Sequence, residues 1–203
     1  KWFTPGNWAS TADLTIVGTV PDLDNVAEVV LPSSSQVSFN PGDASGSVSG
    51  GTVFVDAISG DGALSQLGGT LAVADNVTLN GLDQTVGRLV VDGDVTVTDS
   101  IQQAVGGALD VTGVLSLTQA TGDIETRGLL LVEDRAQLTA TSGDLKLLNL
   151  GNEFLGGLTL EGAAAQVRYQ GNLDVDLDLS GSAHLTVDLE SVGDALVVSG
   201  STQ

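Results

Sequence analysis

Cysteine and methionine are absent from the 203 residues, and histidine and tyrosine each occur once. Without cysteine there is no disulfide framework, thiolate metal site or thiol nucleophile. A Ser-His-Asp triad would have to use His184, which alternates with Leu185 on a short expected strand and is read as facing solvent. Basic residues are scarce too: six Lys and Arg stand against 26 Asp and Glu, a formal net charge of −20. Affinity for DNA or RNA comes mainly from cations neutralising phosphates, so no nucleic-acid partner is expected. Apolar runs such as Leu129–Val132 are far too short to span a membrane, so no membrane insertion is expected. Aromatic residues make up only 3% of the chain, little for the core of an ordinary enzyme, whereas 41% hydrophobic residues is too much for a disordered acidic tail. The chain opens Lys1-Trp2-Phe3 without Met, as expected of an excerpt or a processed product.

What is present is alternation. Val53-Phe54-Val55, Val77-Thr78-Leu79, Val95-Thr96-Val97, Leu115-Ser116-Leu117 and Leu173-Asp174-Val175-Asp176-Leu177-Asp178-Leu179 place aliphatic residues at every second position. Period two predicts strands with one buried and one wet side. The 27 glycines cluster in Gly-Gly, Gly-Asp, Asn-Gly and Ser-Gly pairs between these segments, where turns tolerate positive φ. The best short helical candidate is Ile101-Gln102-Gln103-Ala104-Val105.

A slower period runs through Val53, Leu71, Leu89, Leu109, Leu129, Leu147, Val167 and Leu185, a repeat of about 19 residues. The expected fold is an all-β, right-handed parallel β-solenoid (β-helix) with coils of this length, eight of them forming a rod on the order of 40 Å long. The alternative is an antiparallel β-sandwich, which the scarcity of large rings disfavours. One domain is expected over 1–203, with irregular N-terminal coils in 1–50 and regular coils in 51–203, as part of a longer chain or assembly.

Asn152-Glu153-Phe154-Leu155-Gly156-Gly157-Leu158-Thr159-Leu160-Glu161-Gly162 resembles a segment that recurs in filamentous-haemagglutinin-like bacterial exoproteins. Gly122-Asp123-Ile124 and Gly143-Asp144-Leu145 are similar to that family's coil starts, and Asn7-Trp8 with Val20–Leu31 resembles the opening of solenoid modules in large secreted or autotransported proteins. The resemblance covers residues 1–35 and 115–200. It implies an extracellular or bacterial cell-surface location and a structural role in an adhesin, filament or surface assembly, and it assigns no catalytic residue.

Three carboxylate groups invite chemistry. Asp174, Asp176 and Asp178 alternate along one strand, and with Asp188 and Glu190 on the next coil they would place like charges near 5 Å, costing roughly 0.9 kcal/mol per pair in water. Surface calcium would relieve that repulsion, while a solvated acidic face needs no metal; no other cofactor is expected. Asp61, and Asp92 with Asp94, could be read as glycosidase carboxylates of a pectin-lyase-like solenoid that binds or cleaves carbohydrate, but Asp beside Gly also makes tight corners. Corner chemistry is the simpler reading, so no catalytic, cofactor or metal residue is assigned and a non-enzymatic role is expected. Asn76-Val77-Thr78 matches a glycosylation acceptor only formally. Arg88, Arg127, Arg135, Lys146 and Arg168 are dispersed and are expected to pair with neighbouring carboxylates. Trp2, Phe3 and Trp8 are expected to cap the first coil. The strand Ala195-Leu196-Val197-Val198 near the C-terminus has no amphipathic cap after it, so the expected partners are the next coil of a longer chain, a second copy added end to end, or a ligand on a host or neighbouring cell.

Overall fold

A strand with one apolar side closes a core only by meeting others of its kind. The computed structural model describes residues 8–10, 15–17, 28–31, 36–39, 52–169, 173–179, 185–189 and 196–200, with side chains for 54–169 and Val175. The chain meets the demand by winding. Parallel strands stack as a β-solenoid of about six turns, with about 20 residues per turn and no helix among the described residues. Each turn lays short strands on three faces. Coil 1 comprises Ile58–Gly60, Ala63–Gln66 and Thr70–Val73. Coils 2 and 3 are single long strands, Val77–Val91 and Val95–Val111, that bend round all three faces. Between these two the pairing shifts register at Val97/Ser100 and at Gln103/Gly106, where the chain turns from one face to the next. Coil 4 is Leu115–Gln119, Ile124–Thr126 and Leu129–Val132; coil 5 is Ala136–Ala140, Asp144–Leu147 and Glu153–Phe154. Coil 6, Leu158–Gly162 and Ala164–Tyr169, is followed by Leu173–Leu179 back on the first face.

Because the coils pair in parallel, equivalent residues sit on one another. On the first face Val77, Val95, Leu115, Ala136 and Leu158 form one buried column. On the third, Val55, Val73, Val91, Val111, Val132 and Phe154 form another. Each buried aliphatic side chain stabilises the stack by about 1.5–3 kcal/mol relative to exposure.

The parallel solenoid stands, while three details of the sequence reading need correction. The series Val53, Leu71, Leu89, Leu109 follows the third face as expected, but Leu109 pairs with Leu130, not Leu129. Leu147 and Val167 pair with each other on the second face, and Leu185 pairs with Ala165. Loops of unequal length cause the slip: a constant step cannot follow coils whose corners differ, and it drifts onto another face with the same period-two pattern. Second, Ile101-Gln102-Gln103-Ala104-Val105 is strand throughout, part of Val95–Val111. Third, rings do enter the interior: Phe154 and Tyr169 are buried and stacked, with centroids 6.1 Å apart. They lie where the third face dwindles to the two residues Glu153–Phe154, leaving room that aliphatic columns fill elsewhere.

At the N-terminal edge the chain reverses. Thr15–Val17 pairs antiparallel with Glu28–Leu31, and Trp8–Ser10 with Gln36–Phe39, so hydrogen bonds that a parallel coil would leave open are taken up. Trp8 stands opposite Phe39 there, at the capping end; Trp2 and Phe3 lie outside the described residues. Replacing Leu109, which is 2% exposed, with Asp is expected to bury an unpaired carboxylate between two coils. Even Leu109→Ala is expected to cost about 2–5 kcal/mol, read from the urea midpoint; an unchanged midpoint would contradict the register.

Candidate functional site: an amide spine and a charged groove

The second face ends in a corner where alternation places a polar residue inside. Gln66, Gln84 and Gln103 occupy equivalent positions in coils 1, 2 and 3 and are all buried. A buried amide needs partners for its oxygen and its N–H groups, and stacking supplies them. Gln84 Nε2 donates to Gln66 Oε1 at 2.8 Å, and Gln103 Nε2 donates to Gln84 Oε1 at 2.9 Å. Each amide also donates to a carbonyl of the following coil: Gln66 to Arg88 O at 2.9 Å, Gln84 to Ala108 O at 2.7 Å, Gln103 to Leu129 O at 3.1 Å. The corner after each glutamine must be small. Gly87 has φ +107°, and a Cβ there would meet Gly69 O at 2.6 Å; at Gly107 it would press on Gln84 Cγ at 3.0 Å and Gln103 Cγ at 3.1 Å. Coil 4 places Thr126 at the next rung, and the spine ends with Gln103 Oε1 and Thr126 Oγ1 buried without a partner.

Outside the same face lies a groove of about 600 Å3, lined by Asp83, Gln102, Gln119, Asp123, Glu125 and Arg127 among others. Asp83, Gln102, Glu125 and Lys146 form one outward column over coils 2 to 5. Arg127 pairs with Glu125 and Lys146 with Asp123. Asp123 Oδ1 also accepts the Asp144 N–H at 2.9 Å, and this bond, reinforced by the Lys146 ammonium, holds the Asp123 carboxyl below its ordinary range. The same contact pushes Lys146 up. The groove therefore offers acceptors and one lining cation, Arg127, already engaged with a carboxylate. Its lining includes no aromatic ring.

The residues singled out by sequence are scattered over this frame. Asp174, Asp176 and Asp178 lie on Leu173–Leu179, which pairs with Leu158–Gly162 and Leu196–Gly200 on the first face. Asp188 lies on Leu185–Leu189, opposite Arg168 on the second face. The acidic ladder is thus not formed by adjacent strands, because consecutive strands in sequence occupy successive faces; Glu190 lies outside the described residues. Asp61 is exposed at the corner between Ile58–Gly60 and Ala63–Gln66. Asp92 and Asp94 are exposed at a different corner, where Asp94 Oδ1 accepts the Val114 N–H at 2.8 Å and Asn76 Oδ1 accepts the Asp94 N–H at 2.8 Å. Asp94 and Asn76 thus serve as corner residues tying successive coils. Arg88 pairs with Asp110, so three of the five dispersed cations have the expected carboxylate partners. His184 lies outside the described residues. The sequence reading did not single out the amide spine; its signal is the recurrence of Gln, two or three residues, Gly, one residue and Leu, starting at 66, 84 and 103.

A family described as repeats of unknown function (DUF5649) matches residues 74–125 and again 92–161. The two placements overlap and begin 18 residues apart, the same spacing as Val77 to Val95. No curated protein and no solved structure matches the chain.

Gln84→Leu is expected to strand Gln66 Oε1 and the Ala108 carbonyl, costing about 2–6 kcal/mol at about 1–3 kcal/mol per orphaned group, measured by chemical denaturation. The Asp123 contact makes a small, pH-dependent contribution. A carboxyl with a depressed folded value stabilises the fold above about pH 4 and loses that contribution as pH falls through the folded value. Asp123→Asn is therefore expected to lower stability at pH 7 by at most about 1 kcal/mol, and by progressively less as the pH falls through the folded value, as followed by thermal melts.

Proposed function

We propose that this chain is a structural β-solenoid segment of a bacterial extracellular adhesin, filament or surface assembly, acting as a rigid rod. The observation that carries the reading is the unbroken coil-to-coil pairing, with buried columns and an internal amide spine that serve stacking rather than a pocket. A strand column that continues to Leu196–Gly200 is suited to extension, by further coils of the same chain or by end-on addition of another copy. The outward carboxylates keep such a rod soluble. The extracellular setting rests on the resemblance to secreted solenoids; the absence of cysteine is compatible with it.

The groove on the second face is the natural place for the competing carbohydrate reading, but sugars favour ring platforms that its lining lacks. Electron microscopy of the purified chain at rising concentration is expected to show rods that lengthen into fibres or a lattice. Isolated particles at every concentration, together with saturable binding on a glycan array, would replace the rod reading with the carbohydrate one.

A further inference from the structure

Five buried polar side-chain atoms among the described residues have no hydrogen-bond partner in the protein: Gln103 Oε1, Gln119 Oε1, Thr126 Oγ1, Asn152 Nδ2 and Thr159 Oγ1. Three of them gather at one place, the corner where coil 4 passes from the second face to the third. Gln103 Nε2 donates to Leu129 O at 3.1 Å from the side of coil 3, and Asn152 Oδ1 accepts the Leu130 N–H at 2.9 Å from the side of coil 5. These two side chains thus hold one peptide of coil 4 between them. Thr126 opens the corner and pairs with Gln103 in the strand register. Gln103 is 6% exposed, and Thr126 and Asn152 are each 1% exposed.

The Gln103 amide is fixed in its orientation. Both of its N–H groups are used, one on Gln84 Oε1 and one on Leu129 O, and a flipped amide would set its oxygen against those two oxygens. Gly128 packs so closely on it that a Cβ there would meet Gln103 Cδ at 2.6 Å. In coils 1 and 2 the oxygen at this position receives the N–H of the next glutamine. Thr126 is too short to repeat that contact, because its hydroxyl stands where a glutamine has Cγ, two bonds before the amide nitrogen. The smaller side chain frees roughly 30 Å3, about one water's share of the liquid. A buried acceptor left unpaired costs more than a paired one gains, so something must donate to Gln103 Oε1.

We propose that this corner of coil 4 is a binding site for one buried water molecule. The water donates to Gln103 Oε1, taking the place of the amide nitrogen of a fourth glutamine, and accepts from the Thr126 hydroxyl. Asn152 Nδ2 donates to its second lone pair. An acceptor, a hydroxyl and a donor form a complementary set for one water, and three hydrogen bonds is what a buried water ordinarily makes. Gln119 Oε1 and Thr159 Oγ1 stand apart, at the corner before the second face and on the first face, and form no such set. The groove on the second face comes up to Gln103 and to Arg127, the neighbour of Thr126, so solvent reaches this corner from outside. The amide spine is therefore continued for one rung by water. The site belongs to the interior of the stack and does not depend on the use to which the rod is put.

A crystal structure of the whole chain at a resolution that shows ordered waters tests this, and water-to-protein cross-relaxation in NMR tests it without a crystal. The expected result is one water within about 2.7–3.2 Å of both Gln103 Oε1 and Thr126 Oγ1, with cross-peaks from a long-lived water to those two side chains. Thr126→Gln is expected to abolish both signals, its own amide then donating to Gln103 Oε1. Thr126→Val keeps the shape but leaves the water a partner short, and is expected to raise the ratio of unfolded to folded chain at least about 5-fold in urea titrations. Should Thr126→Gln fail to fold, the parent chain's own water decides. A corner in which Thr126 bonds Gln103 directly overturns the proposal, as does a metal cation at the site. A water that persists unchanged in Thr126→Gln, or a Thr126→Val chain as stable as the parent, overturns it as well.

Discussion

Parallel, in-register pairing between successive coils is the constraint from which the rest follows. Backbone hydrogen bonds fix neighbouring coils at strand spacing, so a side chain has its own counterpart one coil away as its nearest neighbour. Every position must then tolerate like against like. Aliphatic residues do so without penalty, which is why Val77, Val95 and Leu115 repeat. Glutamine does so because one amide carries both a donor and an acceptor. Carboxylates do so poorly, and the solenoid sets them at corners such as Asp94 or beside cations, as with Asp123 and Lys146.

This constraint explains how much of the fold was legible. Strand periodicity, the repeat near 19 residues and the parallel stack all follow from local alternation plus a slower recurrence, and each is present in the residues themselves. Exact register was not. Between Gln119 and Ile124 and between Leu147 and Glu153 the corners lengthen, and a period-two pattern cannot tell which face has been reached after a loop of unknown length. Leu129 and Leu130 differ by one residue, yet the one is outward on the third face and the other is buried in its core.

The candidate site was less legible because its residues work against their usual classification. Gln84 is wholly buried, though glutamine is ordinarily a surface residue. Asp174, Asp176, Asp178 and Asp188 looked like one acidic patch because they are close in sequence, and winding separates them by a face. Nearness along a solenoid chain is misleading: the neighbours that matter lie one full coil away.

The amide spine also has a sense of direction. Between the amides, Gln84 and Gln103 each donate to the oxygen of the glutamine one coil before, and no amide-to-amide bond runs the other way. A coil copied and inserted between coils 1 and 3 would arrive with its own donor facing one neighbour and its own acceptor facing the other, and would fit without altering either. Thr126 closes that series. The interior thus carries a grammar for length: the stretch that holds the glutamines can grow by whole coils, and the stretch beyond Thr126 must be rewritten to do the same.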